Sequence, residues 1–238
     1  MKPFQSLIGL LLLIGISIAA GHALSARPEQ IATTAGGASS QGSAGTFPKD
    51  VYADTGNRLP AIKRDAMDDA GKKLFDARGQ ADGFGPGGIR LYSPTVAEDM
   101  GNVNDFLRHK SGLDPRLVEL TILVTAREAD CEYVWTAHEP QGLKAGLPQG
   151  TIDVVKYRKP TTGLGEKEAI IIQLGREVFE KRHVAADTFA RALKVFGPKT
   201  LVDLSSLMGQ YASTSVLLTT FDQQIPTGQQ PLLPDLRH

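Results

Sequence analysis

Between Leu117 and Ala126 nearly every residue is apolar or small, and Glu119 sits among them. A helix of that composition is buried on most sides, so it belongs at the centre of the fold. The carboxylate inside it needs a partner, because an unsatisfied buried charge is expensive. A second helix follows at once. The stretch ELTILVTAREADCEYVWTAHEPQGLKAG, Glu119 to Gly146, reads as two helices joined by a tight turn at Ala129–Asp130, with Asp130 as N-cap of the second. So short a connection makes them antiparallel neighbours. On the second helix Cys131, Trp135, His138 and Gly142 recur at i, i+4, i+7 and i+11 and share one face. At about 1.5 Å of rise per residue, Glu119 lies roughly 13 Å from the turn and His138 roughly 12 Å. The two groups therefore come to the same height. A carboxylate against an imidazole in apolar surroundings is a proton-transfer pair.

The remaining chain supplies a helical setting for this pair. Residues 1–26 read as a secretory signal or an N-terminal anchor: Lys2, the apolar run Leu7–Ala20, then Gly21-His22-Ala23 as a small-x-small cleavage site. Either form places the folded part outside the cytoplasm, periplasmic or extracellular. Residues 27–47 are rich in Gly, Ala, Ser and Thr and form a flexible linker. Residues 48–238 form the helical domain. Pro60–Arg78 is expected as an amphipathic helix with Ala66, Ala70 and Leu74 inside. Gly79–Gly88 is Gly-rich but no phosphate loop, since no apolar strand precedes it and no Lys-Ser/Thr follows. It reads as a mobile connection, with an extended piece at Ile89–Tyr92. Thr95–Lys110 has Val96, Met100, Val103, Phe106 and Leu107 at helical spacing, and Asp114-Pro115 opens the buried helix as N-cap and N1. Pro140 should kink the second helix just after His138.

Further helices are expected at 151–157, 166–183, 185–196 and 200–221. The last is apolar enough around its circumference to need two neighbours or another subunit. The tail beyond Asp222, with Pro226, Pro231 and Pro234, should be extended. No strong strand pattern and no internal repeat interrupts this, so the fold is expected to be all-α. Lys plus Arg (26) balances Asp plus Glu (26) without a basic stripe, which argues against a nucleic-acid partner. One cysteine excludes an internal disulfide and a Cys-rich zinc site.

The spacing Glu119, Cys131, His138 resembles the carboxymuconolactone decarboxylase family, which includes the alkylhydroperoxidase D-like group. That family has a Glu twelve residues before a Cys-x-x-Cys and a His seven after the first Cys. The second cysteine is absent here: Val134 takes its place. The run EYVWTAHEPQGLKAGL is closer to the decarboxylase-like members, and the match is best from Arg90 to Lys156. The resemblance implies the alkylhydroperoxidase D-like bundle, a symmetric homo-oligomer, a small-molecule substrate and chemistry without a cofactor or metal. Decarboxylation uses an electron sink in the substrate itself, a lactone or β-keto carbonyl.

Each candidate residue has a plainer alternative. His138 is the general acid/base, or a core histidine bonded to a carbonyl; no second His at i+4 supports a metal role. Glu119 orients His138, or is a structural acid paired with Arg127 or Arg116. Cys131 near a helix N-terminus is a candidate catalytic thiol, but Asp130 and Glu132 flank it and His138 lies about 10 Å along the helix; otherwise it is a small buried residue. Arg127 could bind a substrate carboxylate, or pair with Glu128 or Glu132. Trp135 is a pocket wall or core. Arg90 and Tyr92 could cover the pocket, and His109, His183 and His238 read as solvated. Three functions remain open: a decarboxylase-like lyase using acid/base chemistry, a thiol peroxidase (peroxiredoxin-type activity) that needs an outside thiol to resolve oxidised Cys131, and a non-catalytic small-ligand-binding protein.

Overall fold

The buried helix is the axis about which the other elements pack. It is α4 of the computed structural model, which describes residues 47–77 and 83–236; the N-terminal apolar run, almost all of the linker, and His238 lie outside them. In chain order the helices are α1 (Asp69–Ala77), α2 (Gly85–Arg90), α3 (Pro94–Asp105), α4 (Pro115–Glu128), α5 (Glu132–Lys144), α6 (Gln149–Lys156), α7 (Glu166–Arg176) and α8 (Ala186–Thr220). Single π-helical turns, Phe106–Lys110 and Glu177–Lys181, extend α3 and α7. Among the described residues there is no strand, only one isolated bridge between Tyr52 and Asn57, so the protein is an all-α antiparallel bundle. No helix among the described residues is long and apolar enough to cross a membrane.

Every residue of α4 from Leu117 to Arg127 is buried. Asp114 caps it by accepting from Arg116 N at 2.9 Å, with Pro115 in the first turn. Its two internal threonines return their hydroxyls to the carbonyls one turn back, Thr121 to Leu117 O and Thr125 to Thr121 O. That is how a polar side chain is tolerated inside a buried helix. Around α4 pack α5, α6, α7 and α8, and Leu120, Ile122, Leu123, Ile152, Ile171 and Leu204 make the centre of the core. The Arg116–Glu168 ion pair ties α4 to α7. The expected boundary between two C-terminal helices is present as a break inside α8 at Gly197 (φ 72°, ψ 169°), a left-handed conformation that glycine adopts readily.

Helix α7 approaches α4 through Gly175. A Cβ at that position would collide with Val124 Cγ1, and Val124 is a stiff β-branched residue that is itself buried. Gly→Ala in a helix interior normally gains about 1 kcal/mol, whereas overpacking a core costs about 1–3 kcal/mol. The collision is the larger effect. Gly175→Ala is therefore expected to lose about 1–2 kcal/mol, read from the urea midpoint by the fluorescence of the single tryptophan.

Three local expectations are corrected. Pro60–Arg78 is not one helix: a 3₁₀ turn at Arg64–Ala66 precedes α1, and Met67 and Gly71 face inward while Ala66 and Ala70 are exposed. Gly85–Arg90 is helical, not a loop leading into an extended piece. Pro86 starts it, and the Gly85 N–H donates to Gln223 Oε1 at 2.9 Å, so a tertiary contact overrides the weak helical propensity of its glycines. The turn residue Asp130 is left-handed (φ 47°), and Cys131, not Asp130, occupies the N-cap position of α5. Asp tolerates that backbone conformation better than most residues. Helix α5 contains Pro140 and runs on to Lys144, just short of Gly146-Leu147-Pro148.

The α3 stripe divides. Ala97 and Leu107 are buried, but Val96, Val103 and Phe106 are exposed.

Candidate active site

Helices α4 and α5 bring Glu119 and His138 together as their spacing requires. His138 Nδ1 and Glu119 Oε2 are 2.7 Å apart, and both residues are buried. A carboxylate only accepts, so Nδ1 is the donor; in the neutral ring Nε2 then keeps its lone pair. The ring of Tyr211, from α8, meets the imidazole edge-on with centroids 5.2 Å apart. The other Glu119 oxygen, Oε1, accepts from Arg108 Nη2 at 3.2 Å, and the same nitrogen donates to Gln141 Oε1 at 3.1 Å. Glu119 is thus paired with Arg108, and neither Arg127 nor Arg116 reaches it.

His138 opens on a cleft of about 180 Å³, room for about six waters at roughly 30 Å³ each. Its walls are Pro86 and Arg90 from α2, Asn104 and Arg108, then Tyr133, Val134 and Ala137 from α5, and Tyr211 and Thr214 from α8. Arg90 Nη2 donates to Thr214 Oγ1 at 2.8 Å, which holds α2 against α8. Two guanidiniums therefore border the imidazole. Burial pushes the Tyr211 hydroxyl up to about 12, with Glu119 adding to the rise and Arg108 and Arg90 opposing it. At neutral pH this phenol is a hydrogen-bond donor.

Three sequence candidates lie elsewhere. Trp135 is fully enclosed (0% exposed) and is not a wall of this cleft. Its Nε1 donates to Glu139 Oε2 at 2.5 Å, Lys156 Nζ donates to Glu139 Oε1 at 2.8 Å, and Lys156 Nζ sits 5.8 Å from the indole centroid. Trp135 is the centre of a buried polar network linking α5 to α6. Arg127 pairs with Asp130 and donates to Pro234 O at 2.8 Å, fastening the C-terminal tail. Its Nε has no hydrogen-bond partner among the described residues, but the cavity it lines, about 230 Å³ with Glu132 and Leu233, is not the one that holds His138.

Cys131 lines a separate cavity of about 260 Å³ with Leu218, Gln223 and Ile225. Its extended N-cap backbone (φ −89°, ψ 91°) takes it out of the helical register that would have set it on the face of His138. Burial pushes its thiol up, against lowering hydrogen bonds from Val134, Ser215 and Tyr133, with Glu132 adding to the rise. The folded protein holds that proton more tightly than the unfolded chain does. At pH 7, iodoacetamide should therefore alkylate native Cys131 at least about tenfold more slowly than the urea-unfolded chain, with a rate that climbs as pH rises.

Arg108, Tyr211, Asn104 and Thr214 were not singled out from sequence, and Arg90 was noted only for following a Gly-rich loop. Tyr92 does not join it: its hydroxyl donates to Pro60 O at 2.6 Å on the surface. His109 and His183 are exposed as expected.

No family model matches the chain, and no curated protein does. Its fold is similar to a solved structure from Ralstonia eutropha JMP134, described as an alkylhydroperoxidase AhpD core, an uncharacterized peroxidase-related protein. The two share 16% identity and a TM-score of 0.58, with 75% of this chain covering all of that one. The likeness establishes the alkylhydroperoxidase D-like fold.

Proposed function

We propose that this chain is an exported, cofactor-free acid/base enzyme acting on a small carboxylic acid that carries its own electron sink, a β-keto acid or a carboxylated lactone. The observation that carries this reading is the 2.7 Å contact between Glu119 and His138 Nδ1 at the edge of a cleft bordered by Arg90 and Arg108. Glu119 orients the ring and stabilises the imidazolium formed during reaction. His138 Nε2 takes or returns a proton at substrate carbon or oxygen. Where the substrate carries a second carboxylate, a guanidinium holds that one and not the one lost, because pairing the departing group would stabilise the ground state. In a decarboxylation the electrons of the breaking C–C bond pass into the carbonyl to give an enolate. His138 Nε2 first takes the proton of the substrate's carboxylic acid, the Tyr211 hydroxyl donates to the enolate oxygen as CO₂ leaves, and the imidazolium then returns that proton to the carbon. The exposed apolar residues Val103, Phe106 and Val202 support assembly with further copies of the chain.

A thiol peroxidase acting through Cys131 is a second reading, which the fold likeness alone favours. The separate cavity and the raised thiol weigh against it. Equal peroxide consumption by wild type and Cys131→Ser, or none by either, would dismiss it.

The leading reading is tested by supplying a panel of small β-keto acids and carboxylated lactones and measuring CO₂ release. Wild type should turn over at least one of them. Binding without turnover across the panel, unchanged by His138→Ala, would make the protein a ligand carrier instead.

A further inference from the structure

The Arg108 guanidinium is poorly satisfied where it lies. Its one contact with Glu119 is 3.2 Å long, beyond the roughly 2.7–2.9 Å of a good charge-assisted bond, and it is single where arginine and a carboxylate prefer two parallel bonds. The same Nη2 is shared with Gln141, and Nε is buried without a hydrogen-bond partner among the described residues. By contrast the bond from Glu119 to His138 is short, 2.7 Å. Glu119 therefore divides its charge between a tight bond to His138 and a loose one to Arg108. Arg108 also borders the cleft, on a π-helical turn next to the loop at Gly112.

From this we infer that Arg108 is a carboxylate-operated latch on the Glu119–His138 pair. It rests on the proton-transfer reading of that pair and adds the control of it. With the cleft empty, Arg108 draws part of the Glu119 charge away from the imidazole. A small carboxylate entering the cleft offers Arg108 two oxygens at once, the geometry Glu119 cannot give it from inside α4. Arg108 turns to the incoming anion, Glu119 keeps His138 as its remaining partner, and the imidazole becomes the better proton acceptor. The base is thus strongest when substrate is present. Other charged or titratable groups at the site are Arg90 from α2, Tyr133 from α5 and Tyr211 from α8. Arg90 donates to Thr214 Oγ1 on the cleft wall.

The test uses sodium acetate as the probe, with sodium chloride as the ionic-strength control. The His138 Nδ1 proton is followed by NMR in full-length protein labelled with ¹⁵N-histidine, its resonance assigned by its loss in His138→Gln. In wild type, acetate should move that proton saturably downfield as Glu119 becomes the stronger acceptor. In Arg108→Gln it should start downfield, fail to respond, and bind acetate at least tenfold more weakly. Arg108→Lys, which keeps the charge without the fork, should keep part of the response; it decides the matter with the wild-type titration should Arg108→Gln not fold. Equal acetate affinity in wild type and Arg108→Gln would overturn the latch and assign the anion to Arg90. So would saturable binding that leaves the Nδ1 proton unmoved. Because neither measurement needs turnover, an acetate response in a protein that proves catalytically inert would retire the acid/base reading and leave the latch standing.

Discussion

His138→Ala should reduce turnover of any substrate of this protein by two to four orders of magnitude, with little change in fold. A positioned general acid/base contributes about 10²–10⁴ in rate, equivalent to about 3–5 kcal/mol of barrier at 1.36 kcal/mol per tenfold. The substitution removes the only imidazole among the described residues that lines the cleft. It also leaves Glu119 with Arg108 as its remaining partner, so some loss of stability is expected and activity must be compared well below the melting temperature. Glu119→Gln is the finer probe. The amide is nearly isosteric but can turn its NH₂ toward Nδ1, which would drive the ring proton onto Nε2 and block the base. Misplaced tautomers of that kind have cost about 10⁴ in kcat in a histidine–carboxylate pair of a protease. The loss should fall in kcat more than in KM, since Glu119 does not line the cleft. Arg108 variants should divide the other way, raising KM.

Trp135→Ala should be the most destabilising single change considered, at about 4 kcal/mol. Enclosed aromatic-to-alanine truncations cost about 3–5 kcal/mol through lost transfer energy and the cavity left behind. Here the indole N–H to Glu139 is lost as well, and an unsatisfied buried acceptor costs about 1–3 kcal/mol. Lys156 stays on the other carboxylate oxygen, which keeps the total near the middle of that range. Against a net stability of about 5–15 kcal/mol for a typical domain, this is a large share. Trp135→Phe, which keeps most of the ring volume but not the donor, should cost about half as much. Both are read from urea unfolding followed by far-UV circular dichroism, because the chain has one tryptophan and these variants lack it. If Trp135 were a wall of the reactive cleft, Trp135→Phe would change KM. Its enclosure predicts an unchanged KM.

What could be read from the sequence was what lies within one turn of chain. Glu119 and His138 sit on helices joined by Ala129–Asp130, so rise per residue alone brings them level. The all-α bundle followed from periodicity, and its breaks at Gly112 and Gly197 from punctuation. The rest of the cleft was hidden because it is tertiary. Arg108 precedes Glu119 by eleven residues, but its direction is set by a π-helical turn and by a left-handed glycine (Gly112, φ 84°) that reverses the chain. A strict 3.6-residue stripe does not survive either, and the same stripe misplaced Val103 and Phe106 inside. Tyr211 and Thr214 arrive from α8, which only packing brings near. For Arg127 and Trp135 a substrate-facing role and a packed one both stay open in sequence, because an arginine or an indole beside a reactive pair looks the same whether it faces a ligand or a buried partner. The contacts with Pro234, Glu139 and Lys156 that decide it come from other elements.

The central claim is that the buried acid and the imidazole move a proton on carbon. Solvent deuterium tests it most directly: a small β-keto acid or carboxylated lactone that wild type turns over is incubated with the protein in D₂O, and deuterium is followed by NMR at the carbon next to its carbonyl. Catalysed incorporation by wild type, falling to the uncatalysed rate in His138→Ala while Cys131→Ser matches wild type, is the predicted result. Incorporation that survives His138→Ala, or that is lost with Cys131→Ser, would contradict it.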